Sequence, residues 1–177
     1  MSSNVGRWTP WYSKEAADSS PLRYGDDTVF LMAAKFLSGL AVEDWGCGFA
    51  RYKQFHLGAY VGIDGTAGFC DVVADLREYR SDTPAVLMRA VLEHDTEWRL
   101  ILANALSSAK KRIVVAVFTP DGEGEQIGWT EELGVPDLAI PHGWIDQTFQ
   151  ATGWKFDRAT VATDTFYGSE TVWRGRR

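Results

Sequence analysis

The chain has 177 residues, 45% hydrophobic and 24% charged, with a formal net charge of −6 and a pI near 5.0. That size and balance allow one complete core, argue against extensive disorder, and give no general attraction to nucleic acid. No apolar run approaches the roughly 20 residues needed to cross a bilayer, "MSSNVGRWTPWYSK" lacks a secretory pattern, and Cys47 and Cys70 show no metal-ligand spacing, so a reducing cytoplasm is the expected setting.

"DDTVFLMAAKFLSG" places Val29, Met32, Ala33, Phe36, Leu37 and Leu40 on one helical stripe, with Asp26 or Asp27 as cap and Gly39 at the exit. "LAVEDW" follows as a short buried strand that stops at Gly46 and Gly48. Further strands are expected at "YVGID" (60–64), "DVVADL" (71–76), "AVLMRAVL" (85–92) and "RIVVAVF" (112–118), the last rich in β-branched residues. "DTEWRLILANALSSAKK" returns to a helical stripe, with Asp95 to cap its start and Lys110 and Lys111 at its negative end. Residues 119–140 are acidic, punctuated by Gly and Pro, and are expected as a mobile loop. A helix over 141–153 begins with proline and ends at glycine. "KFDRATVA" and "ETVWRGRR" close the chain as two strands joined by a turn, hence an antiparallel pair.

Strands separated by helices imply a parallel sheet with crossovers. Glycines after the first strand then lie at its carboxyl edge, where open α/β sheets bind ligands. Asp64 ends the second strand sixteen residues after Gly48 and can accept hydrogen bonds from both hydroxyls of a ribose. Asp75 ends the third at the same edge. Glycines for close approach, one carboxylate for a sugar and one acceptor for an adenine amino group together describe a nucleoside site.

On these residues the sequence resembles the class I S-adenosylmethionine-dependent methyltransferases. Their signature is an acidic residue, an apolar one, then Gly-x-Gly-x-Gly; "EDWGCGFA" matches with Asp44, Gly46 and Gly48, and Ala50 stands at the third glycine. The resemblance runs from about residue 24 to the end. It implies a Rossmann-like, doubly wound, seven-stranded α/β sheet, mostly parallel with a C-terminal antiparallel strand, in a single domain over 1–177. Residues 1–24 would be an N-terminal arm and 119–140 a lid. The cofactor implied is S-adenosyl-L-methionine, held by Asp44, Gly46, Cys47, Gly48, Asp64 and Asp75. Arg23 and Tyr24 stand where related enzymes contact the methionine carboxylate. One departure is visible: only "GTAGFC" separates Asp64 from Asp71, too short for a helical crossover of about 10–12 residues. Either a tight loop replaces that helix, or "DVVADL" is not a sheet strand.

His94 follows "VLE" at the sheet's carboxyl edge and is the candidate general base, set against a packing role at the start of the next helix. His142 could face the same cleft, and His56 reads as a surface residue in a helix after the glycines. Cys47 reads as a small packed side chain within the turn, with nothing to activate its thiol. "RWTPWYS" (7–13) could wall the acceptor, or simply tether the N-terminus to the core. The reading is methyl transfer to a small polar or sugar-like acceptor: no Asp-Pro-Pro-Tyr or Asn-Pro-Pro-Tyr segment for a flipped base is present, and nucleic acid and membrane partners are not expected. Two rivals are a non-catalytic S-adenosylmethionine-binding protein of the same fold and a nicotinamide-dependent oxidoreductase. The second would need glycine at 51, where this chain has Arg51.

Overall fold

The structure is a computed structural model that describes residues 5–12, 26–130 and 134–177, without the side chains of 129 and 130. Arg23 and Tyr24 lie outside the described residues. After a helical stretch seen at residues 9–12, here α1, come α2 (Thr28–Leu37), β1 (Val42–Trp45), a 3₁₀ turn (Arg51–Gln54), β2 (Tyr60–Asp64), β3 (Val72–Val73) and β4 (Thr83–Arg89). A second 3₁₀ turn (Leu92–His94) leads to α3 (Trp98–Ser108) and β5 (Ala109–Val117). The chain ends with β6 (Gln126–Thr130), β7 (Val135–Leu138), α4 (His142–Ala151), β8 (Lys155–Ala162) and β9 (Ser169–Arg176).

Seven strands form one sheet in the order β3-β2-β1-β4-β5-β9-β8. Pairings from β3 to β5 are parallel, and β9 runs antiparallel to both β5 and β8. β9 is therefore the reversed strand that the sequence led us to expect. Alternation along the strands sorts side chains to two covered faces. Val42, Leu87, Val114, Ala116 and Val172 pack under Val29, Ala33 and Leu37 of α2. Trp45, Ile63, Val86, Met88, Val115 and Trp173 pack under Ile101, Leu102 and Ala105 of α3 and Ile145 and Phe149 of α4. Covering both faces explains why the central strands read as continuous apolar runs.

Several expectations are corrected. β3 is two residues long, not six: the short connection becomes a tight loop, with Ile63 opposite Val72 and Asp64 opposite Val73. The chain has no length there for a crossover helix, and only the strand ends meet. β4 starts at Thr83 and stops at Arg89, because Ala90 turns with φ 55° and the apolar residues beyond it belong to the 3₁₀ turn. Lys110 and Lys111 lie in β5, which begins directly after α3. The glycine turn is followed by a 3₁₀ turn and not a full helix. His56, expected at the surface, is buried, with its Nε2 3.0 Å from Leu40 O and its Nδ1 3.3 Å from the Tyr52 hydroxyl. Residues 119–140 are not irregular throughout. They carry the antiparallel pair β6–β7, and Val135, Leu138, Ala139 and Ile140 are buried. Among the described residues, no helix is long and apolar enough to cross a membrane.

Candidate functional site

The strand order reverses between β1 and β4, so the crevice at their carboxyl ends is the switch point of the sheet. The glycine turn sits on it. Gly46, Gly48 and Ala50 have φ of 74°, 55° and 53°, a left-handed conformation that glycine adopts freely and alanine only with strain. A Cβ added at Gly46 would come within 2.4 Å of Val91 Cγ2, so the end of β4 already demands glycine there. At Gly48 an added Cβ would meet only the Tyr12 hydroxyl, at 3.5 Å. The first glycine thus serves the fold, and the second leaves backbone open to the crevice.

Three carboxyl groups stand around the turn. Asp64 accepts from the Thr66 amide at 2.8 Å on Oδ1 and from the Gly48 amide at 3.0 Å on Oδ2, with the Tyr12 hydroxyl 3.5 Å from Oδ2. Burial pushes its pKa up, while these amides oppose the rise. Asp44 is buried and accepts from the Tyr60 hydroxyl at 3.0 Å. Its burial, opposed by that bond and by Arg89, carries its pKa to about 7. Asp75 is held by Arg77, whose Nη2 donates to it at 2.8 Å. Cys47 is buried against the bare backbone of Gly62, and burial raises its thiol pKa, as a packed and unactivated cysteine requires.

A cavity of about 630 Å³ joins these groups to the end of β4. Asp64, Asp75 and the glycine turn line it on the β2–β3 side; Arg89, His94 and Asp137 line it beyond β1. Residues 5–12 contribute Val5, Trp8, Trp11 and Tyr12 to its wall. That segment is tied down by the Gly6 amide donating to Gly65 O at 2.8 Å and by the Trp8 ring standing edge-on to His94, 5.3 Å away. Of the 7–13 segment, Trp8, Trp11 and Tyr12 line the cavity, and residue 13 lies outside the described residues.

His94 Nδ1 stands 3.1 Å from Pro136 O and 3.2 Å from an Asp137 carboxylate oxygen. Burial pulls the imidazole pKa down, but Asp137 and Glu93 outweigh it and the net shift is upward. Sequence reasoning missed Asp137 because "GVPDLAI" gave no sign that this segment folds back over β4. It also missed Arg89, which is 7% exposed and bonded through Nε and Nη2 to the two carboxylate oxygens of Glu170 on β9.

No family model matches the chain, and no curated protein matches its sequence. Solved structures do match. The 1,6-didemethyltoxoflavin-N1-methyltransferase of Burkholderia thailandensis, with S-adenosylhomocysteine bound, superposes with a TM-score of 0.71 at 15% identity, covering 97% of this chain and 87% of that one. The N-methyltransferase NodS of Bradyrhizobium japonicum, also with S-adenosylhomocysteine, gives 0.66 at 13% identity and 99% of both chains. The magnesium protoporphyrin IX methyltransferase of Synechocystis, with S-adenosylmethionine bound, gives 0.60 at 19%, covering 85% and 77%. The fold is that of the class I methyltransferases. Another protein of this fold, a Haloferax volcanii putative methyltransferase in complex with the Trm112 activator, gives 0.73 at 13% identity over 96% and 95%. Within the methyltransferase fold of this chain, His142 lies away from the cavity wall, edge-on to Trp173 at 5.1 Å, with its backbone amide on Asp121 at 2.7 Å.

Proposed function

We propose that the chain is a methyltransferase that binds S-adenosyl-L-methionine and methylates a small polar or sugar-like acceptor. The observation that carries this reading is a cavity running across the switch point, with Asp64, fixed by the Gly48 amide of the glycine turn, on one side and the His94 imidazole beside Asp137 on the other. Its volume falls in the range of small-molecule sites, about 300–1,000 Å³. The residues fit the cofactor: Asp64 spends two amide bonds on holding its own position and keeps carboxylate lone pairs for ribose hydroxyls. Asp75 contributes an acceptor beside the adenine, already oriented by Arg77.

S-adenosylmethionine bound there would supply an electrophilic methyl group for in-line displacement. The protein contributes alignment, which can lower a barrier by about 7–11 kcal/mol in favourable cases. Pro136 O holds the His94 ring through Nδ1, with the Asp137 carboxylate alongside to favour its protonated form, and Nε2 is left to accept a proton from the acceptor. Trp8 and the 119–140 segment, through β7, close the same end from water, and we assign the lid movement to the β6–β7 hairpin as one unit.

The test is calorimetric titration with S-adenosylhomocysteine. Asp64→Asn should bind more weakly by about 1.5–3 kcal/mol, the worth of hydrogen bonds to a charged group. Folded wild-type protein that shows no saturable binding at millimolar ligand would end the proposal.

A further inference from the structure

Arg89 has more binding capacity than the fold uses. Its Nε and Nη2 edge is taken by Glu170, and the Phe30 ring lies 4.3 Å from the guanidinium carbon. Nη1 is buried and has no hydrogen-bond partner among the described residues. Buried polar groups are satisfied as a rule, and a charged donor left unpaired is costly, so an orphan of this kind calls for an explanation. Arg89 also lines the cavity, together with Phe30, Phe166 and Tyr167.

Its place in the sheet separates it from the nucleoside side. Asp64 and Asp75 belong to β2 and the segment after β3, on one side of β1; Arg89 ends β4 on the other and is drawn toward β9 by Glu170. Asp44, the nearest carboxyl on β1, has its pKa displaced to about 7, so it opposes an incoming anion less than an ordinary aspartate would. Phe166 is 85% exposed at the β8–β9 turn, and Tyr167 stacks on Phe118 with centroids 5.8 Å apart, so the walls near Arg89 suit a flat ring.

We propose that Arg89 Nη1 anchors a carboxylate of the acceptor, and that the acceptor is a small aromatic or otherwise planar carboxylic acid. A carboxylate gives the orphan donor a charge-assisted bond, the strongest partner available to a guanidinium edge. The amino-acid tail of the cofactor carries the same group and is the competing source. The inference rests on the methyltransferase reading for what fills the other side of the cavity.

The experiment uses protein saturated with S-adenosylhomocysteine and follows tryptophan fluorescence, with benzoate and its neutral isostere benzamide as probes. Wild type should bind benzoate at least tenfold more tightly than benzamide. Arg89→Lys keeps an ion pair with Glu170 but has no second nitrogen to offer, and should lose the preference with S-adenosylhomocysteine affinity unchanged. A double variant, Arg89→Met with Glu170→Gln, removes the guanidinium together with the carboxylate it is bonded to and should behave the same if Arg89→Lys folds poorly. No benzoate preference in wild type, or a preference that survives in both variants, overturns the proposal. So does a tenfold loss of S-adenosylhomocysteine affinity in Arg89→Lys with 5′-methylthioadenosine affinity unchanged, because the guanidinium then serves the cofactor's tail. Wild type that binds no S-adenosylhomocysteine refutes the methyltransferase reading instead, and the benzoate preference is then scored on the free protein.

Discussion

Glu93 is 0% exposed, and its carboxyl is only half satisfied: Oε1 accepts from the Phe118 amide at 2.8 Å, while Oε2 is buried with no hydrogen-bond partner among the described residues. Burial pushes its pKa from 4.5 to about 7, with His94 and the Phe118 amide pulling the other way. Glu93→Gln keeps the shape and the acceptor for Phe118 but never ionises. In wild type the native state binds more protons than the unfolded chain between pH 4.5 and 7, so its stability falls as pH rises through that window. The contribution is complete below pH 4.5 and lost above 7, and a displacement of that size corresponds to about 3 kcal/mol. Stability of Glu93→Gln relative to wild type should therefore increase by about 3 kcal/mol from pH 4 to pH 8, less what His94 returns, since the Glu93 charge also raises the His94 pKa. Urea unfolding of both proteins at five pH values measures the difference directly. Two stability curves that stay parallel within about 0.5 kcal/mol would refute the reasoning and put Glu93 in an environment as polar as water.

Ala50→Gly should stabilise the protein by about 0.5–1 kcal/mol, because a left-handed alanine costs about 1–2 kcal/mol and glycine returns part of that as chain entropy; a loss of stability in urea unfolding would show that the Ala50 methyl packs usefully. Hydrogen exchange across 119–140 should find the Gly124 and Ala139 amides, which bond to Ala139 O and Glu125 O, slower than the unpaired turn positions, with the whole β6–β7 hairpin slowing when S-adenosylhomocysteine binds. A hairpin whose exchange does not respond to the ligand would remove the lid. His94→Asn should cut turnover by roughly 10²–10⁴ and abolish a rate increase with pH. That increase occurs because only the neutral imidazole accepts a proton, and its inflection should lie above 6.5, since the net shift is upward. Turnover and pH profile unchanged in the variant would leave His94 as a packing residue.

What could be read from the sequence was what local chemistry encodes. The α2 and α3 stripes, the glycine turn and the C-terminal strand pair all rest on spacing, and each appears at nearly the expected residues. β4 misled because Val91 and Leu92 are apolar for packing: Leu92 enters the core and Val91 seals Gly46, so hydrophobicity outlasted the strand. His56 misled because its burial depends on Leu40 and Tyr52 converging on it, and no pattern around "QFHLG" announces that. The same limit hid the partners of the site. Asp137 reaches His94 through a hairpin, and Glu170 reaches Arg89 across β5 from the far end of the chain. A motif can name the residues on one strand end; the residues that meet them come from topology.

The cavity's charge pattern is costly in the free protein. Asp44 and Asp64 sit on neighbouring strand ends, each raised by burial, and the charge of Asp64 adds to the rise at Asp44. Two buried carboxyls so close hold their protons more tightly than either would alone. Replacing them with apolar residues would spare that cost, so their presence needs a compensating partner. Arg89 supplies part of it to Asp44, but Glu170 already takes two of its nitrogens. A ligand with cationic groups, as S-adenosylmethionine carries at its sulfonium and its ammonium, would favour the ionised form of both acids and lower their pKa values on binding. By linkage that ligand releases protons, and its affinity gains as pH rises toward 7. The strain of the free site and the charge of the proposed cofactor therefore have opposite signs, and the site is electrostatically unfinished until something positive occupies it.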